Sequence, residues 1–299
     1  MRERVGACTI EAPASLSRQA AALAREAGEI LPRLEAQLGV RAVDGYRIVL
    51  LGPDAATNPL TARLDASAPP WAAGFMIPER RLGAVRIALA SRYPYGTIEA
   101  VFAHEVAHLL IHDAASGRVP RWFNEGVATR AGRQWSLEDA FVYATSLLTA
   151  SLPPLAEIDD AFRGPESSVR LAYAASSSFI AWAEKHYGDR LIRDVLAAAR
   201  TRAFEDAWRY VTGAPLAAAE SSWRRESLLR YRWLPGLLTA SGLLWAMLGL
   251  LTMIGGIRKK ALARAQRERW AQDEAAALAT WEIDPATGQP RRLDESGPR

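Results

Sequence analysis

The chain has one cysteine, Cys8, and four histidines in 299 residues. A lone cysteine excludes an internal disulfide framework and any cysteine-built metal site, and it leaves the redox compartment unmarked. An excess of one charge is also missing. Lys and Arg total 37 against 33 Asp and Glu, and the two signs alternate along the chain. No basic stripe of the kind that phosphate binding requires is present, so nucleic acid is not an expected partner in spite of a pI near 9.4. The opening Met1-Arg2-Glu3-Arg4 is charged, and no apolar run of the roughly 7–15 residues needed by a secretory signal follows it.

What is present is ordinary for a folded protein. A hydrophobic share of 49% beside a charged share of 23% excludes general disorder, and the length accommodates one sizeable domain or two small ones. Val5-Gly6-Ala7-Cys8 has the form of a lipoprotein cleavage box without the apolar segment that should precede it, so Cys8 reads as a small residue in a first strand. Residues 15–38 carry Ala, Leu and Ile at helical spacing with Gly39 at the expected stop. Tyr46-Arg47-Ile48-Val49-Leu50-Leu51, ended by Gly52-Pro53, reads as a buried strand, and further strands are expected at 71–77 and 84–90 with a long surface loop before them. After these, helical spacing dominates over 98–112, from Arg121 onward, and over 137–150, 168–187, 190–199 and 215–232. The expected fold class is α+β: a small N-terminal sheet with helices, an active-site helix in the middle, a mainly helical C-terminal half, and one transmembrane helix.

Three of the four histidines, His104, His108 and His112, fall within nine residues. His104-Glu105-Val106-Ala107-His108 is an HExxH motif. On a helix, residues four apart lie one turn above each other, so both imidazoles share a face and suit a zinc ion. Glu105 is then positioned to take a proton from a water that the ion activates. A catalytic zinc needs three protein ligands and one open position. Extension to HExxHxxGxxH fails at Ile111 and Ala114. His112 lies one turn beyond His108, too far along a straight helix for three histidines to share one ion, and reads as outer-shell or surface. Glu125 is the better third candidate, on a helix that can turn back antiparallel after Pro120.

HEVAH followed by Pro120-x-Trp122-x-Asn124-Glu125-Gly126 resembles the gluzincins, the clan of thermolysin and the zinc aminopeptidases, and most closely the peptidase MA-like family. The resemblance covers about residues 40–230 and extends through Tyr173-Ala174-Ala175-Ser176-Ser177-Ser178-Phe179, Tyr187-Gly188 and Trp223-Arg224. It implies a zinc-dependent peptidase acting on a peptide or protein, with Zn²⁺ held by His104, His108 and Glu125 and with Glu105 as general base. It further implies that Tyr173, with Tyr143 and Tyr187 as rivals, stabilises the oxyanion, and that the run at 84–90 is an edge strand that pairs an extended peptide. Two positions depart from the pattern. Ile77 stands where zinc aminopeptidases carry the glutamate that holds the substrate amine, so aminopeptidase specificity is not implied. Thr129 stands where thermolysin has an aspartate that orients a histidine. The alternative function is a gluzincin fold that keeps its metal but acts as a binding or scaffold module at the membrane. An intact Glu105 speaks against it, because such a module has no chemical need of that carboxylate.

Residues 234–257 contain no charged side chain, are flanked by Trp233 and contain Trp245, and are long enough to cross a bilayer. The expected organisation is a metallopeptidase domain over 1–232 with its α/β part ending near 115, a single membrane span over 234–257, and a charged tail over 258–299. That tail is expected to run as a helix to about Trp281 and then to lose order. Arg and Lys are denser after the span than before it, which places the tail in the cytoplasm and the motif domain outside it.

Overall fold

The computed structural model describes residues 1–57, 59–67, 70, 72–90, 96–132, 143–146, 152–231, 234–283 and 288–292. The chain divides into two compact units, Met1–Tyr231 and Arg232–Arg299.

In the first unit, β1 (Arg2–Val5) and β2 (Cys8–Glu11) form a hairpin that turns at Gly6, whose φ of +55° favours glycine. Helix α1 (Ser17–Leu38) then crosses to β3 (Tyr46–Leu51), which lies parallel to β2. Its buried residues, Ala20, Leu23, Ala27, Leu31, Leu34 and Leu38, recur at helical spacing, and Gly39 ends it in the left-handed region. After a short helix α2 (Pro59–Asp65) come β4 (Gly74–Ile77) and β5 (Leu82–Arg86), and the sheet order is β1-β2-β3-β5-β4. Strand alternation sorts the side chains between two faces. Ile48, Leu50, Val85 and Met76 pack into the main core, whereas Val49, Leu51, Ala84, Phe75 and Ile77 gather with Leu64 in a second cluster.

Several expectations change here. Cys8 lies in the second strand, not the first, and is fully buried, which pushes its thiol up to about 12. The expected surface loop after β3 contains α2. The strand expected at 71–77 begins at Gly74, with Trp71 outside the described residues. The run at 84–90 is not one strand: β5 ends at Arg86, and Ile87–Ala90 is a helical turn, α3. Nor is it an edge, because β5 is paired on both sides and the edge belongs to β4.

Helix α4 (Ile98–Ala115) carries the histidine motif. Thr97 caps it, its hydroxyl accepting from the Ala100 N–H. Apolar residues surround its whole circumference, so it runs through the core instead of along the surface. Tyr46 ties it to the sheet by donating its hydroxyl to Asp113 at 2.7 Å. Ser116 and Gly117, both at positive φ, reverse the chain, and α5 (Arg121–Ala131) begins after Pro120.

The helical half comprises α6 (Leu155–Ala161), α7 (Glu166–Tyr187), α8 (Leu191–Ala199), α9 (Phe204–Thr212) and α10 (Leu216–Tyr231). Most of the 137–150 expectation lies outside the described residues, and 143–146 are helical. An aromatic cluster joins these helices. Trp122 meets Phe179 edge to face at 5.3 Å, and Phe179 meets Trp223 at 5.4 Å. The Trp223 indole N–H donates to Ser178, and the Arg224 guanidinium donates to the carbonyls of Leu152 and Pro153. Ser178 and Phe179 with Trp223 therefore lock α7 to α10, and Arg224 ties α10 to the segment ahead of α6.

The second unit is α11 (Leu234–Ala279) followed by a hairpin of β6 (Trp281–Ile283) and β7 (Pro290–Arg292). At 46 residues, α11 is about 69 Å long, more than twice the thickness of a bilayer core. Among the described residues it is the one helix long and apolar enough to cross a membrane. The hairpin corrects the expectation that order ends near Trp281.

Candidate metal centre

The motif helix α4 packs against β4 on one side and α5 on another. This arrangement assembles the site. His104 and His108 stand one turn apart with their Nε2 atoms 3.0 Å from each other and their rings edge to face. From α5, Glu125 brings Oε2 to 3.5 Å from His104 Nε2 and 3.4 Å from His108 Nε2. These three side chains could hold a metal ion. Their triangle fits one closely: ligand atoms about 2.0–2.1 Å from a tetrahedral zinc stand about 3.3–3.4 Å apart. Glu125 Oε2 is buried and accepts no hydrogen bond among the described residues, so its lone pairs are left for such an ion.

Asn124 completes the orientation of His108. Its side-chain oxygen lies 2.8 Å from His108 Nδ1. An amide oxygen can only accept, so Nδ1 carries a proton, and Nε2 is the ring atom left to face a metal ion once it gives up its own proton. His104 has no such partner among the described residues: its Nδ1 is buried without a hydrogen bond, as is Thr129 Oγ1.

Charge follows the same geometry. Burial alone would raise the Glu125 carboxyl, but His108 and His104 beside it hold it well below the usual carboxylate range. Burial would lower His108, yet the Glu125 carboxylate, with Glu105 and Asn124, outweighs it and pushes the imidazole up to about 9. The pocket therefore favours positive charge at the centre of the triangle.

Glu105 is buried one residue beyond His104, and burial, reinforced by Glu125 and opposed by the two histidines, raises its pKa. Its carboxylate rests on Gly74 of β4. A Cβ on residue 74 would sit 2.3 Å from Glu105 Oε1 and 2.7 Å from both Glu105 Cγ and Val101 Cγ1. Only glycine leaves room for the carboxylate there. Gly126, next to Glu125, has a similar role in packing: a Cβ would lie 2.7 Å from the Ser176 carbonyl oxygen, so glycine allows α5 to approach α7. The N-terminus of α5 is fixed by Asp159, whose two carboxylate oxygens accept from the Arg121 and Trp122 N–H groups.

Of the three tyrosines, Tyr173 places its ring beside His104, with centroids 6.3 Å apart. Tyr143 is buried in a stack on Trp223, and Tyr187 lies among Trp182, His186 and Trp208 at the far end of α7. His112 stands outside the triangle, its ring against Gly117 at the end of α4. Ile77 belongs to the second cluster, on the face of β4 opposite Met76, and so does not enter the site. Sequence reading missed Asn124 as a partner of His108 and Gly74 as the seat of Glu105. Their signals were an amide directly before Glu125 and a glycine opening a strand.

A search of curated proteins finds no match. The family model of the peptidase MA superfamily matches residues 28–228, about two thirds of the chain. That stretch holds both halves of the triangle, the edge strand beneath Glu105 and the Trp223 lock, and the chain accordingly belongs to the peptidase MA superfamily.

Proposed function

We propose that the chain is a membrane-anchored zinc metallopeptidase in which His104, His108 and Glu125 hold Zn²⁺ and Glu105 is the general base. The triangle of Nε2, Nε2 and Oε2 atoms beside a buried glutamate that is not one of its corners carries this reading. When bound, the ion supplies Lewis acidity to water and to the scissile carbonyl. Glu105 takes a proton from the attacking water as its oxygen bonds to the carbonyl carbon. It then returns that proton to the amide nitrogen as the C–N bond breaks. The Tyr173 hydroxyl donates to the carbonyl oxygen as negative charge develops there. β4, an edge strand against Glu105, offers an extended peptide main-chain pairing.

The anchor is the apolar part of α11 at 234–257. Arg258, Lys259, Lys260, Arg264, Arg267 and Arg269 follow it and Arg224, Arg225, Arg230 and Arg232 precede it, which favours a cytoplasmic tail and an extracytoplasmic site.

Hydrolysis of a peptide library by the purified protein should vanish with a chelator and return with added zinc. Bound zinc without cleavage of any peptide would favour the silent module. Asn124→Ala should weaken zinc affinity by about 10–100-fold, read by competition with a chromogenic chelator; unchanged affinity would remove Asn124 from the site.

A further inference from the structure

We infer that Arg121 recognises a carboxylate in the substrate, within one or two residues of the scissile bond. The inference rests on the proposed function and names its substrate class: acidic peptides.

Arg121 opens α5, and the Asp159 cap on its own N–H fixes where its side chain starts. Four residues on, Glu125 turns Oε2 to the histidines and Oε1 toward Arg121 Nε at 3.5 Å. That distance is at the limit of a hydrogen bond and leaves the guanidinium weakly held. Its carbon lies 4.8 Å from the centre of the Phe162 ring, Phe162 meets Tyr173 at 5.1 Å, and Tyr173 meets His104. One continuous wall thus runs from a corner of the triangle to a cation.

The Arg121 side chain is 46% exposed, and its two Nη groups have no partner among the described residues. A planar fork of N–H donors is the geometry that pairs a carboxylate through two bonds. Glu125 engages the guanidinium only through Nε, at 3.5 Å from Oε1, and leaves the pair of Nη groups to a ligand. An extended peptide advances about 3.3 Å per residue, so a carboxylate one or two residues from the scissile carbonyl reaches a cation held one side chain from the triangle. An acidic side chain and a C-terminal carboxylate offer the same chemistry.

The test uses full-length, zinc-loaded protein with Glu105→Gln, so that bound peptides stay intact. Three labelled probes are compared: an alanine-based hexapeptide amide, the same amide with a central glutamate, and the alanine peptide with a free C-terminus. At least one carboxylate-bearing probe should bind about tenfold more tightly than the neutral amide. Adding Arg121→Gln should erase that ratio, and Arg121→Lys should keep part of it. A gain confined to the glutamate probe assigns an internal acidic residue, and one confined to the free acid assigns the chain terminus. A residue that merely steadied Glu125 would lower zinc content and weaken all three probes alike. Equal affinities, no binding of the acidic probes, or a preference that survives Arg121→Gln would overturn the inference. Absence of hydrolysis by the wild-type protein would count against the peptidase reading alone, because the binding comparison does not depend on cleavage.

Discussion

Glu105→Gln should abolish peptide hydrolysis, by about 10²–10⁴-fold, with zinc still bound. Glutamine keeps the length and volume of the side chain that rests on Gly74, so the local packing is preserved. It cannot accept a proton from water. Glu105 is also outside the group of three side chains that could hold a metal, so the substitution leaves every corner of the triangle in place. Activity and zinc content measured on the same preparation decide the matter. Retained hydrolysis would remove Glu105 from the mechanism, and loss of zinc would make it a ligand.

The second large effect is expected at a residue with no side chain. Gly74→Ala brings a methyl group 2.3 Å from Glu105 Oε1, 2.7 Å from Glu105 Cγ and 2.7 Å from Val101 Cγ1. The carboxylate is the more movable partner, but Val101 is buried and stiff, so both must shift, at a cost of about 1–3 kcal/mol to folding and a larger cost to the reaction. A shift near 1 Å in a reacting group costs on the order of 100-fold. We therefore expect about a 100-fold fall in kcat with zinc content nearly unchanged, beside a lowered unfolding midpoint. In the Glu105→Gln background the same substitution should add little, because both act through one carboxylate. Additive losses would mean that Gly74 acts by another route.

Much of the centre was legible because its parts are close in sequence. His104 and His108 share a helical face by spacing alone, and Glu125 reaches them because a short turn through Ser116 and Gly117 forces α5 back along α4. Gly74 was not legible. It meets Glu105 across 31 positions through sheet order, and periodicity does not specify which strand takes the edge. The run at 84–90 illustrates the limit: apart from Arg86 it is all apolar, so periodicity does not separate its strand half from the helical turn that follows. Helices α6 and α9 were missed for a different reason. Each is short, and their stability comes from contacts such as Phe204 on Phe123, 4.9 Å apart, instead of from a long repeat. The C-terminal hairpin pairs Trp281 with Arg292 across a stretch whose Pro and Gly content suggested only disorder.

The central claim is that His104, His108 and Glu125 hold one zinc ion. Its most direct test is the metal content of the detergent-purified protein beside a His108→Ala/Glu125→Ala double variant. About one zinc per chain in the wild type and none in the variant is the result expected from three converging ligand atoms. Equal zinc in both proteins, or none in either after zinc is supplied, would contradict it.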